Sequence, residues 1–339
     1  MVINMQNIKK ILIIKLCCIG DIIQTIPSLK AFKNQDVEIH FLCNKWVDEI
    51  VDMIPFVDKK IVIDTNNFFN LVKTIFNLRK EKYDLVVNFH RDLKSYFFVS
   101  LLGSKIKAGF IWNGYEKFLD FKFTFDYKIH ESLRYLAISE GLGFKRKDVF
   151  TELKIPEIKI KEYEITGEKK VGLFPGGGKN PGTFMWTKRW PVERYIELSR
   201  LLDEKGISVY FFGGEMDRET ISQCQVGEPS FKTIITKSLK ELAFYITKMD
   251  VFIAGDTGPL HMAAALGVKT IGLFGPTSPE LVAPLNQNSS FIWEKENCGP
   301  CYVPETVHRK EFLKCQDNKC MKNIAVEKVF LEIISKLGK

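Results

Sequence analysis

Asp21 follows Gly20 just after an apolar run of strand character, Ile11–Leu16, and a short turn, Cys17–Ile19. A carboxylate there lies beside the first turn of the next helix. It can take a proton from an acceptor hydroxyl as a general base. The same position equally suits a carboxylate that only stabilises the helix N-terminus, an effect of about 0.3–1 kcal/mol. Pro27 predicts a kink in that helix.

The stretch from Asp256 through Thr257, Gly258, Pro259, Leu260 and His261 to Gly267 is more informative. A strand ends at Ala254. Gly258 and Pro259 begin a small-residue helix that Gly267 is placed to end. Free amides at such a helix start bind anions and are open to a diphosphate. Asp256, Thr257 and Gly258 are therefore candidate donor-site residues. His261 lies one turn inside the helix; a lone histidine is more often structural, but this one neighbours the anion site and is a further donor-site candidate.

Two further turns follow strand-like runs. Pro175-Gly176-Gly177-Gly178 lets backbone approach a ligand closely, Gly177 above all. It is neither a Walker loop nor the usual dinucleotide fingerprint. Downstream, Lys188 lies in Trp186-Thr187-Lys188-Arg189-Trp190-Pro191, cations between aromatics that suit a polyphosphate or a sugar ring. A packed helix start is the alternative. In Gly213-Gly214-Glu215-Met216-Asp217, Glu215 is the first choice to bond ribose hydroxyls and Asp217 the substitute; a capped turn explains the same residues. No Asp-x-Asp occurs. Helix-terminal amides and Lys188 are therefore expected to balance a departing diphosphate without a divalent metal, so no catalytic cofactor is expected.

Cys298, Cys301, Cys315 and Cys320 form C-x2-C-x13-C-x4-C. In a reducing compartment four such thiols read as a possible structural zinc site, or as ordinary thiols.

The elements that position these residues alternate. Ile11–Leu16, Ile39–Cys43 and Asp84–Phe89 read as buried strands, with a helix over Phe69–Lys82. The pattern restarts with strands Lys170–Phe174, Ser208–Phe212, Asp250–Ala254 and Thr270–Phe274 and helices Val192–Lys205 and Leu239–Thr247, the latter opened by Ser238 and Glu241 as a capping box. Beta-branched runs with intervening helices predict parallel sheets covered on both faces. The α/β class follows, as two Rossmann-like doubly wound domains facing a central cleft: 1–155, a linker at 156–169 rich in Lys and Glu, 170–322, and a C-terminal helix over 323–339.

Length and composition agree. The chain has 339 residues, 45% apolar and 27% charged, which excludes a disordered or collagen-like chain and favours two domains. No apolar run spans a bilayer. Lys9 and Lys10 precede only four apolar residues before Lys15, so no signal peptide and a cytoplasmic location are expected. The net charge of +8 is concentrated in residues 1–155, with 24 Lys and Arg against 18 Asp and Glu. That suits an anionic partner, such as a phosphorylated glycolipid, a membrane surface or a nucleic acid, or solubility alone.

Lys15-x-x-x-x-Gly20-Asp21-x-x-x-Thr25-x-Pro27, Lys188-Arg189-Trp190-Pro191, Asp256-Thr257-Gly258-Pro259-Leu260-His261 and Phe274-Gly275-Pro276-Thr277 resemble glycosyltransferase family 9, the lipopolysaccharide heptosyltransferases. The resemblance covers nearly the whole chain and includes His130-Glu131 ahead of Gly141-Leu142-Gly143. It implies a GT-B fold, the first domain for acceptor and the second for donor. It implies inverting, metal-independent transfer of heptose from ADP-heptose to a lipid-linked inner-core oligosaccharide, at the cytoplasmic face of the inner membrane and without nucleic acid. By the same resemblance Asp21 matches the general base, Lys188 the lysine near the donor phosphates, and Thr257 and Gly258 the diphosphate turn. The chain departs from its relatives at Cys17 and Cys18, where small hydroxyl residues are usual, and at Gln24, where histidine is. The rival readings are a GT-B enzyme using another nucleotide sugar, a nucleotide-sugar epimerase that turns over without acceptor, and a non-catalytic anionic-surface binding protein with salt-dependent binding.

Overall fold

A computed structural model describes residues 7–64, 67–159, 162–180, 183–225, 231–303 and 311–338. The chain divides into two compact units, Met1–Val149 and Phe150–Lys339.

The first unit carries strands β1 (Lys10–Ile14), β2 (Glu38–Asn44), β3 (Lys59–Ile63), β4 (Tyr83–Asn88), β5 (Ser104–Phe110) and β6 (Phe121–Phe123). They pair in the order β3-β2-β1-β4-β5-β6, all parallel. Its helices are α1 (Ile19–Gln24), α2 (Ile26–Lys33), α3 (Asp48–Asp52), α4 (Phe68–Lys80), α5 (Leu93–Leu101) and α6 (Glu131–Gly141). Ile11, Leu12, Ile13 and Ile14 are fully buried, because a central parallel strand is covered on both faces. The expected kink at Pro27 is a complete break. α1 closes at Thr25, whose hydroxyl bonds the Ile22 carbonyl at 2.7 Å, and α2 restarts with Pro27 in its first turn, where the missing N–H costs nothing.

The second unit carries β7 (Lys170–Phe174), a short antiparallel pair of β8 (Lys179–Asn180) and β9 (Thr183–Phe184), then β10 (Ser208–Gly214), β11 (Lys232–Thr236), β12 (Val251–Gly255), β13 (Lys269–Phe274) and β14 (Ser289–Trp293). Its main sheet runs β11-β10-β7-β12-β13-β14, again parallel. The helices are α7 (Val192–Asp203), α8 (Arg218–Gln225), α9 (Leu239–Ile246), α10 (Gly258–Ala265), α11 (Pro279–Val282), α12 (Lys319–Lys322) and α13 (Val326–Gly338). Ser238 caps α9 by accepting from the Glu241 amide at 3.1 Å. The Glu241 carboxylate reaches back to the Lys237 amide at 2.7 Å, one residue earlier than a capping box has it. α13 buries Val326, Val329 and Ile333 in the same core as Leu198 and Leu202 of α7, each side chain stabilising the unit by about 1.5–3 kcal/mol.

The division between units falls at 149/150, whereas the sequence places a linker at 156–169. The described part of that stretch is bonded to the second unit. The Tyr163 hydroxyl donates to the Ile235 carbonyl at 3.0 Å, and the Thr166 amide donates to the Tyr210 hydroxyl at 2.7 Å. Among the described residues no helix is long and apolar enough to cross a membrane.

Candidate active site

In each unit the chemistry gathers where the strands end, because parallel strands bring their carboxyl termini, and the loops after them, to one edge.

In the first unit Asp21 lies in the first turn of α1, beyond the end of β1. Cys18, the residue before α1, has φ 63° and ψ 139°, a conformation that side chains rarely adopt and that functional turns often store. Lys15 Nζ donates to Asp21 Oδ2 at 2.8 Å; the lysine side chain is 7% exposed and the carboxylate 35%. Burial opposes the Lys15 charge, but Asp21, Tyr135, Glu131 and Cys17 hold its pKa well above the usual lysine value. The lysine is thus held charged, and the carboxylate is the more exposed partner. Among the described residues Asp21 Oδ1 carries no hydrogen bond.

Glu131, at the start of α6, accepts from the Tyr135 hydroxyl at 2.5 Å. Burial, then the Asp21 charge, push its carboxyl up. His90, just past β4, is pushed down to about 4 by burial and by the charge of Lys15. It is therefore a neutral imidazole at pH 7, and its Nδ1 is buried without a hydrogen-bond partner. Cys18 Sγ donates to Cys17 Sγ at 3.2 Å, which lowers the Cys17 pKa and raises that of Cys18. Gln24 accepts from the Ser132 hydroxyl at 3.2 Å in the buried wall behind α1. Sequence reading quoted Lys15 and Glu131 without giving them a role and missed His90. The signal for His90 is its place one residue beyond a strand-like run that ends at Phe89.

In the second unit Lys188 Nζ donates to Asp256 Oδ2 at 2.6 Å, both side chains nearly buried. Burial disfavours the Asp256 charge. Lys188 and His261 override it and hold the carboxyl well below the ordinary carboxylate range. His261 is buried in α10 with Nε2 3.8 Å from Asp256 Oδ1, and the ring of Tyr302 lies 4.6 Å from Lys188 Nζ. A side chain on Gly255 would press on the Lys188 carbonyl at 2.9 Å, so glycine at the end of β12 lets the lysine segment lie against it.

Thr257 precedes α10 with an extended backbone but does not cap it; its hydroxyl donates instead to the Gly255 carbonyl at 3.2 Å. Pro259 has no N–H to offer. The Thr257 and Gly258 amides thus remain to meet an anion, favoured by the helix dipole. Gly177 and Gly178 have φ of 91° and 73°, and a Cβ on Gly177 would lie 2.3 Å from Thr257 Cγ2. Only glycine lets this loop close against the start of α10.

The two ribose candidates separate. Asp217 is buried and accepts from the amides of Gly177 and Gly214, both at 3.1 Å, so it latches the two glycine turns together. Glu215 is exposed and pairs with Arg218 at 2.7 Å. Arg189, unassigned from sequence, donates to the Gly177 carbonyl and the Thr220 hydroxyl, both at 3.0 Å.

Cys298, Cys301, Cys315 and Cys320 are free thiols. The Cys301 amide donates to the Pro276 carbonyl at 3.0 Å. Cys301 is pushed up by burial and by Cys298 and Cys315; Cys320 rises to about 11 through burial and the other three thiols. The four lie near one another, yet no three His, Cys, Asp or Glu among the described residues stand as a metal-holding group.

Two parallel sheets, a lysine-held carboxylate past one central strand and an uncapped helix start past another define a doubly wound α/β protein. The family model for glycosyltransferase family 9 (heptosyltransferase) matches residues 71–311. The chain belongs to glycosyltransferase family 9 and is a glycosyltransferase. It is 27% identical over 322 residues to lipooligosaccharide heptosyltransferase 2 of Campylobacter jejuni, covering 92% of this chain and 93% of that one. The solved glycosyl transferase family 9 structure from Veillonella parvula aligns with TM-score 0.81 at 22% identity over 97% of both chains. The structure of ADP-heptose lps heptosyltransferase II from Escherichia coli aligns with TM-score 0.77 at 19% identity, over 97% of this chain and 98% of that one. These likenesses show the GT-B fold.

Proposed function

We propose that this chain transfers heptose from ADP-heptose to the inner core of a lipid-linked lipopolysaccharide or lipooligosaccharide, with inversion and without a catalytic metal. The observation that carries the reading is the uncapped start of α10, with Lys188 and Asp256 paired beside it at 2.6 Å. This is an anion site of the kind a sugar diphosphate needs. The names of the relatives above support the sugar and the acceptor.

In this reading the acceptor hydroxyl attacks the anomeric carbon from the face opposite ADP. As the new C–O bond forms, its proton passes to Asp21, and the bond to the diphosphate breaks on the other face. Lys15 orients Asp21 by way of Oδ2, which leaves Oδ1 for the hydroxyl. The Thr257 and Gly258 amides, with Lys188, balance charge growing on the leaving diphosphate. Asp256 and His261 position Lys188 and the turn. Gly177 and its latch Asp217 are assigned to the donor side, and Glu215, exposed and paired with Arg218, to the ribose hydroxyls. The four thiols take no part in the chemistry, and among the described residues no three His, Cys, Asp or Glu are grouped to hold a metal ion. The acceptor's lipid places the reaction at the cytoplasmic face of the inner membrane.

The deciding experiment incubates the protein with ADP-heptose and a heptose-deficient lipid core and weighs the product. Gain of one heptose mass is expected. Release of ADP without a heavier core, or turnover of ADP-heptose in the absence of acceptor, overturns the reading.

A further inference from the structure

An apolar stripe at helical spacing normally marks the face a helix turns toward the core. In the first unit two such stripes face solvent. On α5, Leu93, Phe97 and Leu101 recur every fourth residue, with Leu93 52% and Phe97 56% exposed. On α4, Val72 and Phe76 lie outward, Phe76 60% exposed, with Phe69 also exposed about two turns before Phe76. The helices are neighbours: Leu71 and Ile75 of α4 and Phe97 and Phe98 of α5 line one cavity of about 150 Å³. That cavity also touches Ile14 and Leu16, the residues on either side of Lys15, so this face adjoins the strand end that carries the Lys15–Asp21 pair.

Charge accompanies the stripes. Lys73, Arg79, Lys80 and Lys94 are exposed on the same two helices, and neither 68–80 nor 93–101 contains an acidic residue. Lys80 Nζ lies 4.2 Å from the Phe76 ring centroid, a cation and an aromatic sharing one place on the surface. An exposed apolar patch of this kind marks an interaction site. The ammonium and guanidinium groups among the aromatics select an occupant that is anionic at its surface and apolar beneath it. A leaflet of anionic phospholipid is such an occupant: its headgroups attract the cations while rings and leucines sink to the acyl boundary.

We propose that the α4–α5 face docks this chain onto an anionic lipid bilayer. The inference goes beyond the transferase reading, because lipid binding is measured without turnover. The full-length protein is sedimented with vesicles of phosphatidylcholine containing about one-third phosphatidylglycerol, and with vesicles of phosphatidylcholine alone. Each basic residue near an anionic surface contributes roughly fivefold to partitioning, so binding at least tenfold tighter to the anionic vesicles is expected. Phe76→Ser with Leu93→Ser, and separately Lys73→Glu with Lys80→Glu, are each expected to lower partitioning at least tenfold. Both pairs are exposed, and unchanged circular dichroism checks that the variants fold. Equal binding of variants and wild type overturns the proposal, as does failure of the wild type to bind. A wild-type dimer in lipid-free solution that the Phe76 and Leu93 changes dissociate also overturns it, by making this face an interface between copies. Transfer to a short, lipid-free acceptor separates the two readings: its survival when vesicle binding fails removes docking alone, and its absence when vesicle binding holds removes the transferase reading alone.

Discussion

Lys15 Nζ rests 2.8 Å from Asp21 Oδ2, six residues along the chain. The lysine lies one residue past β1 and the aspartate in the first turn of α1. The carboxylate is thereby fixed in direction, with one oxygen still available. A base must be both placed and charged to accept a proton from an attacking hydroxyl.

Asp21→Asn keeps the shape and removes the basicity. It is expected to slow transfer by roughly 10²–10⁴-fold while leaving ADP affinity close to wild type. Single-turnover rates and calorimetric ADP titration check it; wild-type turnover in the variant sinks the assignment.

Lys188→Ala takes a cation from the proposed diphosphate site and leaves Asp256 buried without its partner. ADP binding is expected to weaken by about 1.5–3 kcal/mol, the usual range for a bond to a charged group. Addition of EDTA is expected to leave wild-type transfer unchanged. Activity lost in EDTA and restored by magnesium would refute the metal-free mechanism.

His90 provides a pH test. Burial, then Lys15, lower its folded pKa to about 4, from an ordinary value of 6.5. With the folded value below the unfolded one, the unfolded chain binds the extra proton first. The stability due to neutral His90 is therefore complete above about 6.5 and is lost as pH falls toward 4. His90→Gln is expected to flatten this part of the profile. Denaturant midpoints of both proteins between pH 7 and pH 4 measure it, and parallel curves count against it.

Cys315→Ser tests the thiol cluster. If the four thiols hold zinc, about one zinc per chain is expected in protein purified without a histidine tag, and the substitution lowers Tm more than it lowers kcat of the folded enzyme. Elemental analysis showing well under one zinc per chain leaves them as ordinary thiols.

The local elements were legible in the sequence because their signals are local. β7 begins and ends as the apolar run 170–174 predicts. The Ser238 cap and the glycine-and-proline start of α10 follow from backbone chemistry a few residues long, whereas the kink expected at Pro27 is a full break between α1 and α2. Some strands escaped, β5 among them, because lysines at 105 and 107 interrupt its apolar pattern. Asp21, Lys188 and Thr257 could be named from type and position, since strand ends in a parallel sheet collect on one edge.

Which of them touch was a different matter. Pairing of β1 with β4 sets His90 within reach of the charges of Lys15 and Asp21, some seventy residues away in sequence. Adjacency of β7, β10 and β12 brings Asp217 to the amides of Gly177 and Gly214, and Lys188 to Asp256. That withdrew Asp217 into a latch and left Glu215 exposed and paired with Arg218, a distinction invisible in two acidic residues two positions apart. Composition and periodicity determine what each segment becomes, because propensity, capping and amphipathic spacing act over a turn or a strand. Strand order and burial decide which charges meet, because ion pairing and desolvation depend on distance in space, which only the folded sheet assigns.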